Sequence, residues 1–187
     1  MFTMKDIDAI LSENMTEDGY SFWKAMVVKI PNIWNRPSSS TGKYHKKENG
    51  EVQTICEHTY EMLNTCCKCL RIFNIFPRTK DADVLILGVV LHDLFKYGVN
   101  DALYKKHTEK QHDRIAGNTV LYNKDKFRKL LTEGQINTLE EMLRFHSGRW
   151  STDAPSDFNF KNYKPETLFL HLLDMLSTNN LLKVSEV

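Results

Sequence analysis

Residues 84–96 have the sequence Val-Leu-Ile-Leu-Gly-Val-Val-Leu-His-Asp-Leu-Phe-Lys, an apolar run that leads directly into a histidine, an aspartate and a lysine. A run of this length predicts an element that is buried on all sides, either a helix or a strand. Polar side chains at the rim of such an element are costly unless a partner pairs with them. Histidine nitrogen and aspartate oxygen are common ligands of zinc, iron and manganese, so a divalent metal ion would be a suitable partner.

The apolar residues on either side of this run recur at helical spacing. We predict helices over residues 3–14, 18–30, 51–76, 81–96, 109–124, 132–146 and 164–184, with a polar loop from Arg36 to about Gly50. No alternating strand pattern and no internal repeat interrupts them. The sequence therefore predicts a single all-α domain of about seven helices over residues 1–187, with N-terminal helices in 1–35 and a helical core in 36–180.

Composition restricts the classes of protein to consider. The 187 residues are 41% apolar, enough for one core, and the net charge of +1 argues against a broad nucleic-acid-binding surface. No stretch approaches the roughly 20 apolar residues of a membrane span, and the first residues do not resemble a signal segment, so we expect a cytoplasmic protein. The four cysteines lack the spacing of a zinc finger and are interpreted as small core residues. The oligomeric state stays open.

Polar residues that can bind metal recur along the chain in a specific order. They are placed near the middle or the end of five different predicted helices: His58, His92 with Asp93, His112, His146 and Asp174. A helical bundle can direct such a set of side chains inward to one point. The pattern therefore predicts a metal site inside the bundle.

The same residues resemble the HD-domain metal-dependent phosphohydrolases. The pattern of that family is H…HD…D, and a two-metal subset has two further histidines before the last aspartate. The matching segments are Glu57-His58-Thr59, Leu91–Lys96, His112, His146 and Leu170–Asp174. The loop 38–45 is similar to the segment before the first ligand in many small HD proteins, and the resemblance spans roughly residues 36–180. It implies an HD-type helical bundle.

The resemblance also implies one or two divalent ions. His58, His92, Asp93 and Asp174 would hold the first, and His112 and His146 the second, with Asp93 bridging both; His107 and His171 remain alternatives for the second site. Four imidazoles among six ligands favour manganese, iron, cobalt or zinc over magnesium. Residues 147–150 lack the Gly-Tyr-Pro of the cyclic-dinucleotide branch, which argues against that substrate class.

Two closely spaced cations suit the hydrolysis of a phosphate ester. We therefore expect a phosphohydrolase acting on a small-molecule nucleotide, most simply a 5′-nucleotide monophosphate, with no membrane or nucleic-acid partner. Asp93 and Lys96 are the candidate catalytic residues. The candidate substrate-binding residues are Lys43, Tyr44, His45, Arg149 and Trp150. The alternatives are a di-iron oxygenase of the HD type, a 3′–5′ exoribonuclease and a nucleotide-binding module without turnover.

Overall fold

The computed structural model describes residues 2–27, 33–39, 41–42, 44–47, 49–72, 74–98 and 107–178. Within them the chain forms eight α-helices, which are α1 (Met4–Asn14), α2 (Glu17–Val27), α3 (Ile55–Ile72), α4 (Lys80–Leu91), α5 (His112–Tyr122), α6 (Lys124–Phe127), α7 (Glu133–Phe145) and α8 (Pro165–Thr178). Two 3₁₀ turns, Gly148–Trp150 and Phe160–Asn162, lie between α7 and α8. The described residues contain two isolated β-bridges but no sheet. The all-α prediction is confirmed, and the eighth helix is the single turn α6.

The apolar run is the central helix, α4. The hydroxyl of Thr79 caps its N-terminus by accepting a hydrogen bond from the backbone N–H of Ala82, and every residue from Ala82 to Leu91 is buried. Helices α3, α7 and α8 pack against it, which explains why its sequence has no polar face. The C-terminal end of α4 therefore delivers His92 and Asp93 into the interior of the bundle.

Helix α4 ends at Leu91, five residues earlier than predicted. The chain continues in tighter turns, in which the backbone N–H of Lys96 bonds to the carbonyl of Asp93 and that of Gly98 to the carbonyl of Phe95. Gly98 then adopts a φ of 86°, which favours glycine and ends the helical path. These turns bring Lys96 back over Asp93.

Helix α3 begins at Ile55 rather than at residue 51. The residues before it pair with the preceding loop through the bridges Pro37–Thr54 and Lys46–Val52, so their backbone is extended. Helix α3 ends at Ile72 instead of 76, and α5 starts at His112 instead of 109. The predicted ends of the second and last helices, at 30 and 184, lie outside the described residues.

The N-terminal helices pack directly onto the core. The buried carboxylate of Asp83 in α4 accepts hydrogen bonds from the backbone N–H of Thr16 at 2.9 Å and from its hydroxyl at 2.5 Å. This contact supports our proposal that the whole chain is one domain. No helix in the described part of the chain combines the length and the apolar character needed to cross a membrane.

Candidate metal centre

Five helices direct their polar residues at one point in the bundle. His58 lies in the first turns of α3, His92 and Asp93 follow α4, and His112 opens α5. His146 follows α7, and Asp174 lies in α8. His58, His92, Asp93 and His146 are at most 2% exposed. The structure thus brings together the six residues that the sequence singles out.

Asp93 lies between two pairs of histidines. Its Oδ2 is 3.8 Å from Nε2 of His58 and 3.6 Å from Nε2 of His92. Its Oδ1 is 3.6 Å from Nε2 of His112, which in turn is 3.2 Å from Nε2 of His146. Each carboxylate oxygen therefore faces a different pair of imidazoles.

The histidine rings meet through atoms that cannot hydrogen bond to each other. Nδ1 of His92, His112 and His146 lies 2.7–3.0 Å from the backbone carbonyls of Val89, Glu109 and Leu143, respectively. A carbonyl only accepts, so each Nδ1 carries the proton and each neutral ring has a bare lone pair on Nε2. The unprotonated Nε2 atoms of His112 and His146 are nevertheless 3.2 Å apart. Nε2 of His92 also lies 3.2 Å from Nε2 of His58. A cation between the lone pairs would turn this repulsion into binding.

The protonation states agree with that arrangement. Burial lowers the pKa of His92 to about 4, although Asp93 and Asp174 act in the opposite direction. Burial also lowers the pKa of His112 and of His146. These three imidazoles are therefore neutral at neutral pH, as metal ligands must be.

The two carboxylates are ionised in spite of their burial. Burial acts to raise the pKa of Asp93, but the positive charge of Lys96 beside it holds that pKa well below its usual value. Burial likewise opposes ionisation of Asp174, and the proximity of His58 and His92 keeps its pKa low. The cluster therefore combines anionic oxygens with neutral nitrogens, the donor set of a divalent transition metal.

The spacing of the donor atoms also fits a metal ion. Ligands about 2.1 Å from one ion at tetrahedral angles are about 3.4 Å from each other, and the distances across the cluster are 3.2–3.8 Å. Oδ1 of Asp174 lies 3.3 Å from Nε2 of His58, yet this buried oxygen accepts no hydrogen bond from any described residue. An oxygen left unpaired in this way would be satisfied by a cation.

Comparison with known proteins agrees with these observations. The sequence model of the HD domain family matches residues 55–179, a range that contains His58 through Asp174. The chain belongs to the HD domain family. It is a metal-dependent phosphohydrolase of the HD type, and HD domains typically bind divalent metal ions. No curated protein and no solved structure matches the chain.

A cavity of about 310 Å³ opens beside the HD cluster, the group formed by His58, His92, Asp93, His112, His146 and Asp174. Its lining is formed by Tyr44, His45, Ser147, Trp150, His171, Asp174, Met175 and Thr178. Three of the predicted substrate residues, Tyr44, His45 and Trp150, therefore lie at the cavity. Arg149 is not among the described residues that line the cavity. Its side chain is exposed in the same 3₁₀ turn as Trp150. Lys43 lies outside the described residues.

The two alternative histidines are placed differently from the six clustered residues. His107 is exposed. His171 lines the cavity, and its Nδ1–H donates to the carbonyl of His146 at 2.7 Å. Neither belongs to a group of metal-binding atoms within the described part of the chain. The described histidines grouped with Asp93 on this side of the cluster are therefore His112 and His146.

Sequence reasoning missed the residues that orient His58. Nδ1 of His58 lies 2.9 Å from Oγ of Ser177, which lies 3.4 Å from a carboxylate oxygen of Glu61. Donation from His58 to Ser177 and on to Glu61 leaves Nε2 of His58 free to bind, an outer arrangement typical of metal-binding histidines. The signal was present in the sequence, because Ser177 follows Asp174 by three residues and so shares its face of α8.

Proposed function

We propose that this protein hydrolyses the phosphate ester of a small nucleotide, with a 5′-nucleotide monophosphate as the favoured substrate. The observation that carries the proposal is the position of Asp93 between the pairs His58–His92 and His112–His146. Donor atoms in this arrangement suit two divalent ions that share one carboxylate. The nitrogen-rich ligand set favours manganese, iron, cobalt or zinc.

In this proposal His58, His92, Asp93 and Asp174 would hold the first ion, and His112, His146 and Asp93 would hold the second. Such ions supply Lewis acidity toward a water molecule and toward a phosphoryl oxygen. The residues of the chain provide orientation, since each Nδ1 hydrogen bond fixes one imidazole before any ligand arrives.

Lys96 provides the additional positive charge at the centre. Its Nζ lies 2.5 Å from Oδ2 of Asp93, and its side chain is only 13% exposed. The ammonium of Lys96 would therefore stabilise negative charge that develops on a phosphoryl group beside Asp93, because the site is largely buried. This supports a catalytic role for Lys96.

The cavity supports a nucleotide as the substrate. Tyr44 and Trp150 are 57% and 71% exposed at its rim, and their flat faces suit stacking with a base. Arg149, beside Trp150, offers a guanidinium that binds phosphate through two hydrogen bonds. The volume of about 310 Å³ is at the lower end of the range of small-molecule sites, which favours a mononucleotide over a polymer.

The test is a panel of nucleoside mono-, di- and triphosphates, assayed for phosphate release with manganese, cobalt, iron and zinc. We expect the highest activity on a 5′-monophosphate. Asp93→Asn, which keeps the shape of the side chain but removes its charge, should be inactive. Lys5→Ala on the exposed surface of α1 is the matched control and should behave as the native protein does.

Three other results would each replace the proposal. Oxygen consumption with a phosphonate or a polyol, without phosphate release, would identify an oxygenase. Shortening of RNA from its 3′ end would identify an exoribonuclease. Tight nucleotide binding by the metal-loaded protein without turnover would identify a binding module.

A further inference from the structure

His45 is held in an unusual backbone conformation by the loop before α3. Its φ of 56° lies in the left-handed region, which residues other than glycine seldom occupy. Its carbonyl accepts a hydrogen bond from the backbone N–H of Gln53 at 2.7 Å, and the adjacent Lys46 forms a bridge with Val52. Strain of this kind persists where the surrounding structure enforces it, often at ligand-binding positions. The pairing fixes the imidazole of His45 in place.

The ring of His45 packs against the HD cluster instead of pointing into solvent. It is 5% exposed and meets the ring of His58 edge-on, with 4.2 Å between the ring centroids. The sequence predicts a substrate contact for His45, but the burial of its ring against His58 favours a different role.

Two buried atoms beside His58 have no hydrogen-bond partner among the described residues. Nε2 of His45 lies 3.5 Å from the hydroxyl of Thr178, which donates its own proton to the carbonyl of Asp174 and can therefore accept one from His45. Nδ1 of His45 is then unprotonated, and no described residue hydrogen bonds to it; the same holds for Oδ1 of Asp174. Leaving each of these buried acceptors unpaired is energetically unfavourable. One cation would satisfy both.

Metal-binding atoms of His45, His58 and Asp174 lie within 4.8 Å of one another. This group continues a series, because His58 also belongs to a group with His92 and Asp93, and Asp93 to a group with His112 and His146. We propose that His45 is an additional metal ligand that binds a divalent ion together with His58 and Asp174. The proposal rests on the metal centre of the proposed function, and it extends that centre by a residue outside the H…HD…D pattern.

A ligand at His45 would couple the loop to the metal. Tyr44 is the next residue and lines the cavity, so occupation of the site would also fix one side of the substrate pocket. The imidazole would fill a coordination position that the HD pattern alone leaves to water or substrate. Metal binding and the order of the loop should therefore change together.

The test removes the ring without straining the backbone. His45→Gly suits a positive φ, and Lys46→Ala, an exposed neighbour, is the matched control. We expect His45→Gly to bind Zn²⁺ and Mn²⁺ at least about tenfold more weakly in competition with a chelator and to alter the visible spectrum of the Co²⁺-loaded protein. Added imidazole should restore both properties, and Lys46→Ala should match the native protein.

A second measurement uses the native protein, so it stands even if the variant does not fold. Protein labelled with ¹⁵N-histidine is titrated with Zn²⁺, and we expect the ring resonances of five histidines to move: His45, His58, His92, His112 and His146. Movement of only four would overturn the proposal. Native metal affinity in His45→Gly would also overturn it, and an accompanying rise in KM would make His45 a substrate contact.

The metal-binding measurements are made without nucleotide and are therefore independent of the proposed reaction. If the native protein hydrolyses no nucleotide but five histidines respond to zinc, the proposed function fails and the role of His45 stands. If it hydrolyses nucleotides and only four respond, the role of His45 fails alone.

Discussion

Lys96 and Asp93 form a nearly buried ion pair at the edge of the metal centre. The ammonium lies three residues after the carboxylate, and the tight turns after α4 bring the two within 2.5 Å. A buried pair of this kind adds little to stability relative to apolar residues, because both charges lose their water. Its position beside the cluster therefore favours a functional role over a structural one.

Replacing the ammonium tests that role. We expect Lys96→Met, which keeps the length of the side chain, to retain bound metal and to lower kcat/KM by about 10²–10³. Lys96→Arg keeps the charge and should recover part of the activity. Metal analysis and steady-state kinetics provide the measurement, and equal losses of metal and turnover would contradict a direct role in catalysis.

Substitutions of the candidate metal ligands and of Arg149 should affect different properties of the protein. His92→Ala or Asp93→Ala should abolish both bound metal and turnover, because each removes a donor that faces the other donors at 3.2–3.8 Å. Arg149→Ala should raise KM while metal content stays native, because that side chain is exposed and a guanidinium does not bind metal ions. The two assays are metal content and KM, and loss of metal in Arg149→Ala would count against substrate binding.

At the scale of the helices, periodicity predicted most elements but not where they end. Helix α4 was predictable because an apolar run can only be buried, whereas its end at Leu91 depends on tight turns that the sequence 92–98 does not reveal. The start of α3 depends on bridges between the residues before it and the preceding loop, and helix propensity does not predict such bridges. The order of the six candidate ligands on successive predicted helices was enough to predict that they meet. The burial of His45 depends on tertiary packing and was not predicted.

Ion pairs and hydrogen bonds hold the segment after α7 against the helical bundle. Asp153 pairs with Arg114 of α5 and with Arg144 of α7. The carboxylate of Asp113, the residue after His112, accepts hydrogen bonds from both the backbone N–H and the hydroxyl of Thr152. The network therefore holds the turn that carries Trp150 close to the end of α5 that carries His112.

Breaking this network should disturb the substrate pocket before it disturbs the metal. Asp153→Ala leaves two arginines without their shared partner, and we expect it to lower the free energy of unfolding by about 1–3 kcal/mol and to raise KM with little change in metal content. Asp125→Ala is the control, since its ion pair with Arg128 is exposed and should contribute less than about 1 kcal/mol. Urea denaturation and steady-state kinetics of both variants provide the measurement. Equal effects of the two substitutions would contradict the role of Asp153 in holding the turn that carries Trp150.

At the scale of the whole molecule, the core surrounds a polar centre. Helices α3, α4, α7 and α8 pack against one another, and the cluster occupies the region where their ligand-bearing residues meet. Neutral imidazoles and ionised carboxylates are left facing each other there, so the metal-free protein lacks the cation that would offset their repulsion. Metal binding and folding should therefore be coupled.

Stability should depend on metal and on pH in a linked way. A free ion concentration about 100 times the Kd should raise the free energy of unfolding by about 2.7 kcal/mol, and a chelator should reverse the gain. In the metal-free protein, His92 is neutral with a pKa of about 4, compared with 6.5 for an ordinary histidine. As the pH falls below 6.5, His92 binds a proton in the unfolded chain but stays unprotonated in the folded protein. The free energy of unfolding therefore decreases until the pH reaches about 4. His92 alone should cost about 2 kcal/mol between pH 6.5 and about pH 5.

Urea denaturation of metal-free protein across this range measures the loss, and His92→Gln is the comparison because glutamine does not titrate. We expect the variant to be less stable near neutral pH but to show a shallower decline in acid. A native slope in His92→Gln would assign the acid sensitivity to other groups, such as His112 and His146, whose pKa values burial also lowers. Because protons and metal compete for the same Nε2 lone pairs, the stabilisation by zinc should fade over the same pH range in which the metal-free protein weakens.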